Sequence, residues 1–135
     1  MDLQQFHAME ERCSQEDMPQ CTAACPLHVD VRGMLAAARQ GDFSRGYALF
    51  AQLAPFPGII SRMCDHPCQT ACIRESSDAG IAVNALERAC VAFRSRPLPS
   101  KLHAPAKDKT IAVVGAGISG LAAAFFLARK GYRIE

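Results

Sequence analysis

Hydrophobic residues between positions 30 and 95 recur at helical spacing, which predicts that the first part of the chain is helical. One helix is predicted from Val31 to Gln40, with Asp30 as its N-cap and Gly41 as the residue that ends it. A second is predicted to begin after Asp42 and to end at the two prolines that follow position 54, since proline interrupts a helix. A third is predicted from position 84 to 94, and its apolar stripe consists of Leu86, Ala89, Cys90 and Phe93.

The pattern changes after position 109. The run from Thr110 to Val114 is β-branched and is typical of a buried parallel strand. A glycine-rich turn, an Ala- and Leu-rich helix to Lys130 and the start of a second strand follow. One and a half strands with one helix cannot bury a sheet on both faces, so we expect this chain to be a piece of a longer polypeptide.

The segment between these two parts, from position 96 to 109, is rich in proline and basic residues and poor in apolar ones, which indicates a linker. The predicted organisation is therefore a helical domain over residues 1–95, a linker over 96–109 and the start of a Rossmann-like domain over 110–135. The fold class is mainly α, followed by the first β-α-β piece of the Rossmann-like domain.

Charge and composition narrow the function. The 15 basic and 13 acidic side chains among the 135 residues give a net charge of +2, which argues against a nucleic-acid partner. The longest clean apolar run, Leu121 to Ala128, is far shorter than the roughly 20 residues that a membrane span needs. The N-terminus lacks the order of a signal peptide, and the 7 cysteines then favour a metal or cluster site in a reducing compartment. We therefore expect a cytoplasmic protein.

A G-x-G-x-x-G motif lies between the predicted strand and helix of the second part, as a dinucleotide-binding fingerprint requires. Gly115 would allow the tight turn, Gly117 would let the backbone approach a pyrophosphate, and Gly120 would let the helix pack closely on the strand. The alternative is a tight strand-to-helix turn that binds no ligand.

Six of the seven cysteines form two groups, which are Cys13, Cys21 and Cys25, and then Cys64, Cys68 and Cys72. Cys25 is followed by Pro26, and C-x3-C-P occurs in iron–sulfur ferredoxins. Structural zinc sites usually contain pairs of cysteines at C-x2–4-C spacing, and no C-x2-C occurs here. The grouping favours iron–sulfur clusters, with zinc as the alternative.

Several further stretches make a family resemblance recognisable, and these are Arg12-Cys13, Gly41-Asp42-Phe43, Ser61-Arg62-Met63-Cys64 and Asn84-Ala85-Leu86-Glu87-Arg88. Together with the cysteine and glycine motifs, the chain resembles the small (β) subunit of NADPH-dependent glutamate synthase and the N-terminal region of dihydropyrimidine dehydrogenase. The resemblance implies an α-helical ferredoxin-like domain with two [4Fe–4S] clusters beside an FAD. In such proteins NADPH reduces the FAD, and the clusters relay electrons to a large catalytic or redox partner subunit or to a second active site.

The resemblance also implies how the ligands are shared between the clusters. One cluster would be held by Cys13, Cys21 and Cys72, and the other by Cys25, Cys64, Cys68 and Glu87. The chain departs from the family at Glu16, where the family places the remaining cysteine of the first cluster. Glu16 could complete that cluster, or the cluster could lack an iron or fail to form. Taken without the family, Glu87 reads as a solvated helix carboxylate.

Two more residues carry alternatives. Cys90 is expected to be a buried core cysteine, or else to replace Glu87 as a ligand from one turn away. His66 could donate a hydrogen bond to a cluster sulfur, or be an exposed loop residue.

The favoured function is electron transfer within an FAD- and NAD(P)H-dependent oxidoreductase. This piece alone is not expected to turn over, and it supplies no catalytic residue. The other candidate is a zinc-stabilised binding module fused to a nucleotide-binding domain.

Glu16 leads to a testable prediction. A carboxylate is a harder donor than sulfur, so the iron that it holds should be the first lost to air or chelator. Mild oxidation should then give a [3Fe–4S] signal in electron paramagnetic resonance (EPR), which Glu16→Cys should suppress. Glu16→Ala should shift the signal or abolish that cluster and leave the other intact. Identical iron content and spectra in the wild type and both variants would show that Glu16 is only a solvated carboxylate.

Overall fold

The structure is a computed structural model that describes residue 4 and residues 18–76, 79–95 and 104–135. The chain divides into two compact units, Met1–Ser95 and Arg96–Glu135. Cys13, Glu16 and most of the predicted linker lie outside the described residues.

The first unit is helical. Its described elements are α1 (Gln20–Ala24), α2 (Val31–Arg39), α3 (Phe43–Leu53), α4 (Pro57–Met63), α5 (Pro67–Thr70), a 3-10 turn (Ile73–Ser76) and α6 (Val83–Phe93). Helix α6 packs against α2, α3 and α4, while α1 packs against α5. The prediction of a mainly helical domain is confirmed.

Aspartate caps start both α2 and α3, which pack together as a helical hairpin. The Asp30 carboxylate accepts a hydrogen bond from the Gly33 amide, and that of Asp42 accepts one from the Arg45 amide, each at 2.9 Å. Gly41 between the helices has a φ of 72°, a left-handed conformation that glycine adopts without steric cost. The caps and the stop signal were correctly predicted.

The sequence reading of the prolines was incomplete. Pro57 follows the end of α3, but it is also the first residue of α4. Proline suits that position since the first amide of a helix has no partner within the helix. Helix α4 was therefore missed.

The predicted stripe of the last helix was partly wrong. Helix α6 begins one residue earlier than expected, and its buried residues are Val83, Glu87 and Cys90. Phe93 is 68% exposed, because its position on the helix lies outside the buried face that those three residues form. The Phe93 ring instead packs against that of Phe43, with the centroids 5.7 Å apart.

The hydrophobic core joins α6 to the hairpin. Its buried members are Val29, Met34, Phe50, Ala54 and Cys90. The approach of α6 to α3 depends on Gly46, since a methyl group there would lie 2.6 Å from the Cys90 sulfur. A smaller buried cluster of Val31, Cys68 and Val83 lies where α2, α5 and α6 meet. The Gln69 side chain links α5 to the start of α6, because its Oε1 accepts a hydrogen bond from the backbone amide of Asn84 at 2.8 Å.

The second unit is a short β-α-β unit. Strand β1 (Thr110–Ile111) pairs in parallel with β2 (Arg133–Ile134), and α7 (Ile118–Arg129) connects them. The Glu135 backbone extends the pairing by hydrogen bonds with Ile111 and Val113. The order of elements agrees with the start of a Rossmann-like domain.

The predicted strand from Thr110 to Val114 is longer than the observed one, and it is not buried. Val114 is 99% exposed, because only β2 pairs with this strand among residues 104–135 and only α7 crosses beside it.

None of the helices in the described ranges combines the length and apolar character needed to cross a membrane.

The contact between Gly46 and Cys90 predicts an unusual response to alanine. Gly46→Ala should destabilise the helical unit by about 1–2 kcal/mol, because overpacking costs more than the improved helix propensity gains. In a Cys90→Ala background the same change should become neutral or stabilising. Chemical denaturation of the four proteins measures this difference.

Gly58 in α4 provides a matched control, because a methyl group there would make only ordinary contacts near 4 Å with Arg62 and Val91. Gly58→Ala should leave stability unchanged or raise it slightly. Equal destabilisation by both alanines would contradict the packing argument.

Candidate metal centre

The centre is built around Cys68, which lies in the single-turn helix α5 and is 4% exposed. Glu87 comes from the buried stripe of α6 and is 5% exposed. Two further cysteines come from helix ends, since Cys25 is the C-cap of α1 and Cys64 is the C-cap of α4. Each has an extended backbone, with ψ near 122° and 137°, so the chain turns away from the helix axis at these thiols.

The charges of these residues act on one another. The pKa of the Cys68 thiol is raised to about 11, first by burial and then by the negative charges of Glu87, Cys25 and Cys64. Burial also raises the pKa of Glu87, an effect that the His66 imidazole partly opposes. The structure therefore brings the side chains of Cys25, Cys64, Cys68 and Glu87 into one neighbourhood.

A set of acids that includes the buried Cys68 and Glu87 suits a cation-containing group. Ionised thiolates and carboxylates are strongly disfavoured in a buried place unless positive charge compensates them. A bound metal centre supplies that charge and deprotonates its thiol ligands. The donor set, three thiols and a carboxylate, fits an iron–sulfur cluster, whose usual ligands are cysteine thiolates.

A zinc ion and an iron–sulfur cluster place different demands on the spacing of their ligands. No three His, Cys, Asp or Glu side chains within residues 18–76, 79–95 and 104–135 are arranged to hold a metal ion. The cysteine sulfurs around a tetrahedral zinc ion lie about 3.8 Å apart, given Zn–S bonds of about 2.3 Å. A polynuclear cluster binds each cysteine through a different iron, so it can bridge donors that are set further apart.

His66 contacts this centre in two ways. Its backbone amide donates a hydrogen bond to the Cys64 sulfur at 3.3 Å. Its imidazole Nε2 is hydrogen bonded to Glu87 Oε2 at 3.2 Å. His66 is 8% exposed, so the alternative of an exposed loop histidine is wrong. The donor to a cysteine sulfur is the amide, and the sequence offered no signal for the imidazole contact with Glu87.

Glu87 and Cys90 lie on the same stripe of α6 but face different surroundings. The reading of Glu87 as a solvated carboxylate is wrong, because the side chain is buried beside Cys68. Cys90 belongs to the hydrophobic core and packs against Gly46, as the expectation of a core cysteine requires. Burial, and then the charge of Glu87, raise the pKa of the Cys90 thiol.

The other predicted ligands are only partly described. Cys21 lies in α1 and packs against the small buried cluster that contains Cys68. Cys72 follows α5, which contacts α1. Cys13 and Glu16 lie outside the described residues, so the ligand set expected for the first cluster stays a prediction.

The three motif glycines lie after β1, at the turn into α7 and in its first turn. Gly115 has a φ of 104°, and Gly117 is the N-cap of α7. A methyl group at Gly120 would collide with the Gly115 carbonyl oxygen, so α7 can approach the turn only because Gly120 has no side chain. A methyl group at Gly117 would meet no atom of the described residues within 4 Å. The space in front of the start of α7 is thus open, as phosphate binding at a helix N-terminus requires.

Two families of known proteins match the chain. Residues 1–96 match the family described as dihydropyrimidine dehydrogenase domain II, 4Fe-4S cluster. Residues 113–135 match the NAD(P)-binding Rossmann-like domain. These matches follow the order of the helical unit and the β-α-β unit along the chain.

Individual relatives are redox enzymes or their subunits. The chain is 32% identical over 114 residues to the NADPH-Fe(3+) oxidoreductase subunit beta of Geobacter sulfurreducens, covering 83% of this chain and 17% of that protein. It is 27% identical to the NADP(+)-dependent formate dehydrogenase subunit beta of Moorella thermoacetica, covering 84% and 19%. It is 30% identical to the glutamate synthase [NADPH] small chain of Azospirillum brasilense, covering 92% and 27%. The matched region is therefore between about a sixth and a quarter of each relative.

The raised pKa of Cys68 predicts slow alkylation in metal-free protein. At pH 8 the thiolate fraction of a thiol with a pKa of about 11 is about 100-fold below that of an ordinary thiol. Cys68 should therefore react with iodoacetamide about 100-fold more slowly in the folded chain than in the denatured chain. Peptide mass spectrometry gives the rate for each cysteine.

Glu87→Gln should increase that rate at Cys68, because it removes a negative charge that raises the thiol pKa. Asp65→Asn is a matched control, since Asp65 is exposed and is not among the charges that act on Cys68. Equal rates for Glu87→Gln and the wild type would contradict the proximity of Glu87 to Cys68.

Proposed function

Because this chain belongs to the dihydropyrimidine dehydrogenase domain II family of 4Fe-4S proteins, we propose that its helical unit carries electrons through two [4Fe–4S] clusters. The clusters would act within an FAD- and NAD(P)H-dependent oxidoreductase. The observation that carries the proposal is the neighbourhood of the buried Cys68 and Glu87 with the half-buried Cys25 and Cys64.

We propose that these four residues hold one of the two clusters. Three thiolates and one carboxylate complete a four-donor set, and each comes from a different helix or helix end. The other cluster would be held by Cys13, Glu16, Cys21 and Cys72. The contact between α1 and α5 supports this arrangement, because it brings the helix of Cys21 next to the helix that Cys72 follows.

A [4Fe–4S] cluster supplies one-electron transfer at a potential set by its ligands, their hydrogen bonds and its exposure. The chain contributes to each of these factors. The amide of His66 donates a hydrogen bond to the Cys64 sulfur, which lowers the electron density on that sulfur. Cys68 and Glu87 are buried, so water has little access to their side of the centre. Glu87 replaces one thiolate by a harder oxygen donor.

We propose that the second unit begins the site of the flavin. Gly115, Gly117 and Gly120 would receive the pyrophosphate of FAD at the start of α7. The match to an NAD(P)-binding Rossmann-like domain supports a dinucleotide here. NADPH would reduce this flavin, and the names of two related proteins include NADPH.

Several relatives are named as subunits or as a small chain, which supports a partner subunit for the protein that contains this chain. The electrons that leave the clusters would pass to that catalytic or redox partner.

Iron analysis with two cysteine variants tests the proposal. Anaerobically prepared wild-type chain should contain about eight iron and eight sulfide and should absorb broadly in the visible range. Cys68→Ser should lose about half of the iron, or convert one cluster to a labile form. Cys90→Ser is the matched control, because both cysteines are buried and only Cys68 is proposed as a ligand.

Cys90→Ser should keep the full iron content while losing about 1–3 kcal/mol of stability, because it buries a hydroxyl in the core. Stoichiometric zinc without visible absorption, in protein made with ample iron and sulfide, would show instead a zinc-stabilised module. Equal iron loss in the two serine variants would contradict the assignment of Cys68.

A further inference from the structure

His66 has an unusual backbone for its place in the chain. Its φ of 52° and ψ of 56° lie in the left-handed region, which few residues other than glycine adopt. It also precedes Pro67, and a residue before proline normally has an extended backbone. Such strained residues persist where the surrounding structure holds them, and they concentrate at functional sites.

This conformation places the two ends of His66 on two different groups of the metal centre. The amide donates to the Cys64 sulfur at 3.3 Å, while the imidazole Nε2 reaches Glu87 Oε2 at 3.2 Å. As an ionised metal ligand Glu87 could only accept a hydrogen bond, so Nε2 would donate in that state. Glu87 lies 21 residues further along the chain, so the contact links the loop before α5 to the buried stripe of α6.

Glu87 has more freedom than a cysteine to leave a metal centre. A glutamate side chain has three rotatable bonds, and its carboxylate can turn either oxygen toward a ligand. A histidine that bonds one oxygen restricts this rotation, in the way that outer partners of metal ligands hold them in orientation. The exposed fractions of both residues are small, so water is a poor substitute for the imidazole.

We propose that His66 is a positioning residue for Glu87, which engages Oε2 so that Oε1 is presented to the cluster. The inference rests on the proposed function, in which Glu87 is a cluster ligand. His66 itself does not bind the iron.

Iron release to a chelator, with EPR of the reduced protein, tests the proposal. His66→Gly removes the imidazole, and glycine adopts the left-handed backbone without strain. A faster iron release in this variant therefore reports the loss of the imidazole and not backbone strain. It should speed iron release from one cluster by about tenfold or more and change that cluster's EPR signal. His66→Gln keeps a nitrogen donor at a similar reach and should restore near wild-type behaviour.

A second background separates positioning from a general structural role. In Glu87→Cys protein the ligand is a thiolate that needs no imidazole partner, so adding His66→Gly should cause no further change. His28→Gly is the matched control, because His28 is the other described non-glycine residue with a positive φ, and its ring bonds the Thr22 carbonyl instead. His28→Gly should leave both the rate and the spectrum unchanged.

Each outcome decides the question. If His66→Gly releases iron at the wild-type rate, or if it accelerates release equally in the Glu87→Cys background, His66 does not position Glu87. If the wild type holds no cluster, or if Glu87→Ala retains both clusters unchanged, the proposed function or its ligand set fails and the inference fails with it. Should His66→Gly not fold, His66→Asn tolerates the left-handed backbone but is too short to reach Glu87, and so it answers the same question.

Discussion

The constraint on which the candidate centre depends is the burial of two acidic side chains, Cys68 and Glu87. Burial and neighbouring negative charge both oppose ionisation of this thiol, and Glu87 meets the same opposition from burial. The arrangement is unfavourable for ionised side chains until positive charge enters it. Binding of a cationic cofactor would therefore contribute directly to the folding free energy of the unit.

Helix α6 connects this centre to the hydrophobic core. Its buried residues Val83, Glu87 and Cys90 lie on one stripe, so a single helix face serves two purposes. Cys90 packs against Gly46 in the core. Glu87 precedes Cys90 by one helical turn and lies beside Cys68. A shift of α6 that repacked the core would also move Glu87, so the close approach at Gly46 helps to hold the geometry of the centre.

The other proposed cysteine ligands lie in or at the ends of short helices. Cys25 and Cys64 are C-caps with extended backbones, and Cys68 lies in a helix of a single turn. Helices this short are not stable by themselves, so packing must hold them in place. The Gln69 hydrogen bond to the start of α6 and the two His66 contacts supply part of this support. A bound cluster would supply more, because it would join residues from four separate segments.

Local interactions account for what the sequence by itself determined. The caps at Asp30 and Asp42, the turn at Gly41 and the glycine motif before α7 each depend on residues within a few positions, so a single sequence reveals them. The grouping of the cysteines and the family resemblance also indicated the iron–sulfur chemistry. The fate of Pro57 could not be read in this way, since proline both ends helices and begins them.

Only the tertiary structure decided which side chains meet. The exposure of Phe93, the burial of Glu87 and the exposure of Val114 depend on which elements cover each face, and helical or strand spacing does not specify that. The contact between His66 and Glu87 joins positions 21 residues apart and requires a left-handed backbone before a proline, which no local preference predicts. Long-range contacts of this kind form only when the helices pack, because packing stabilises a strained loop and a buried carboxyl group that neither segment would adopt alone.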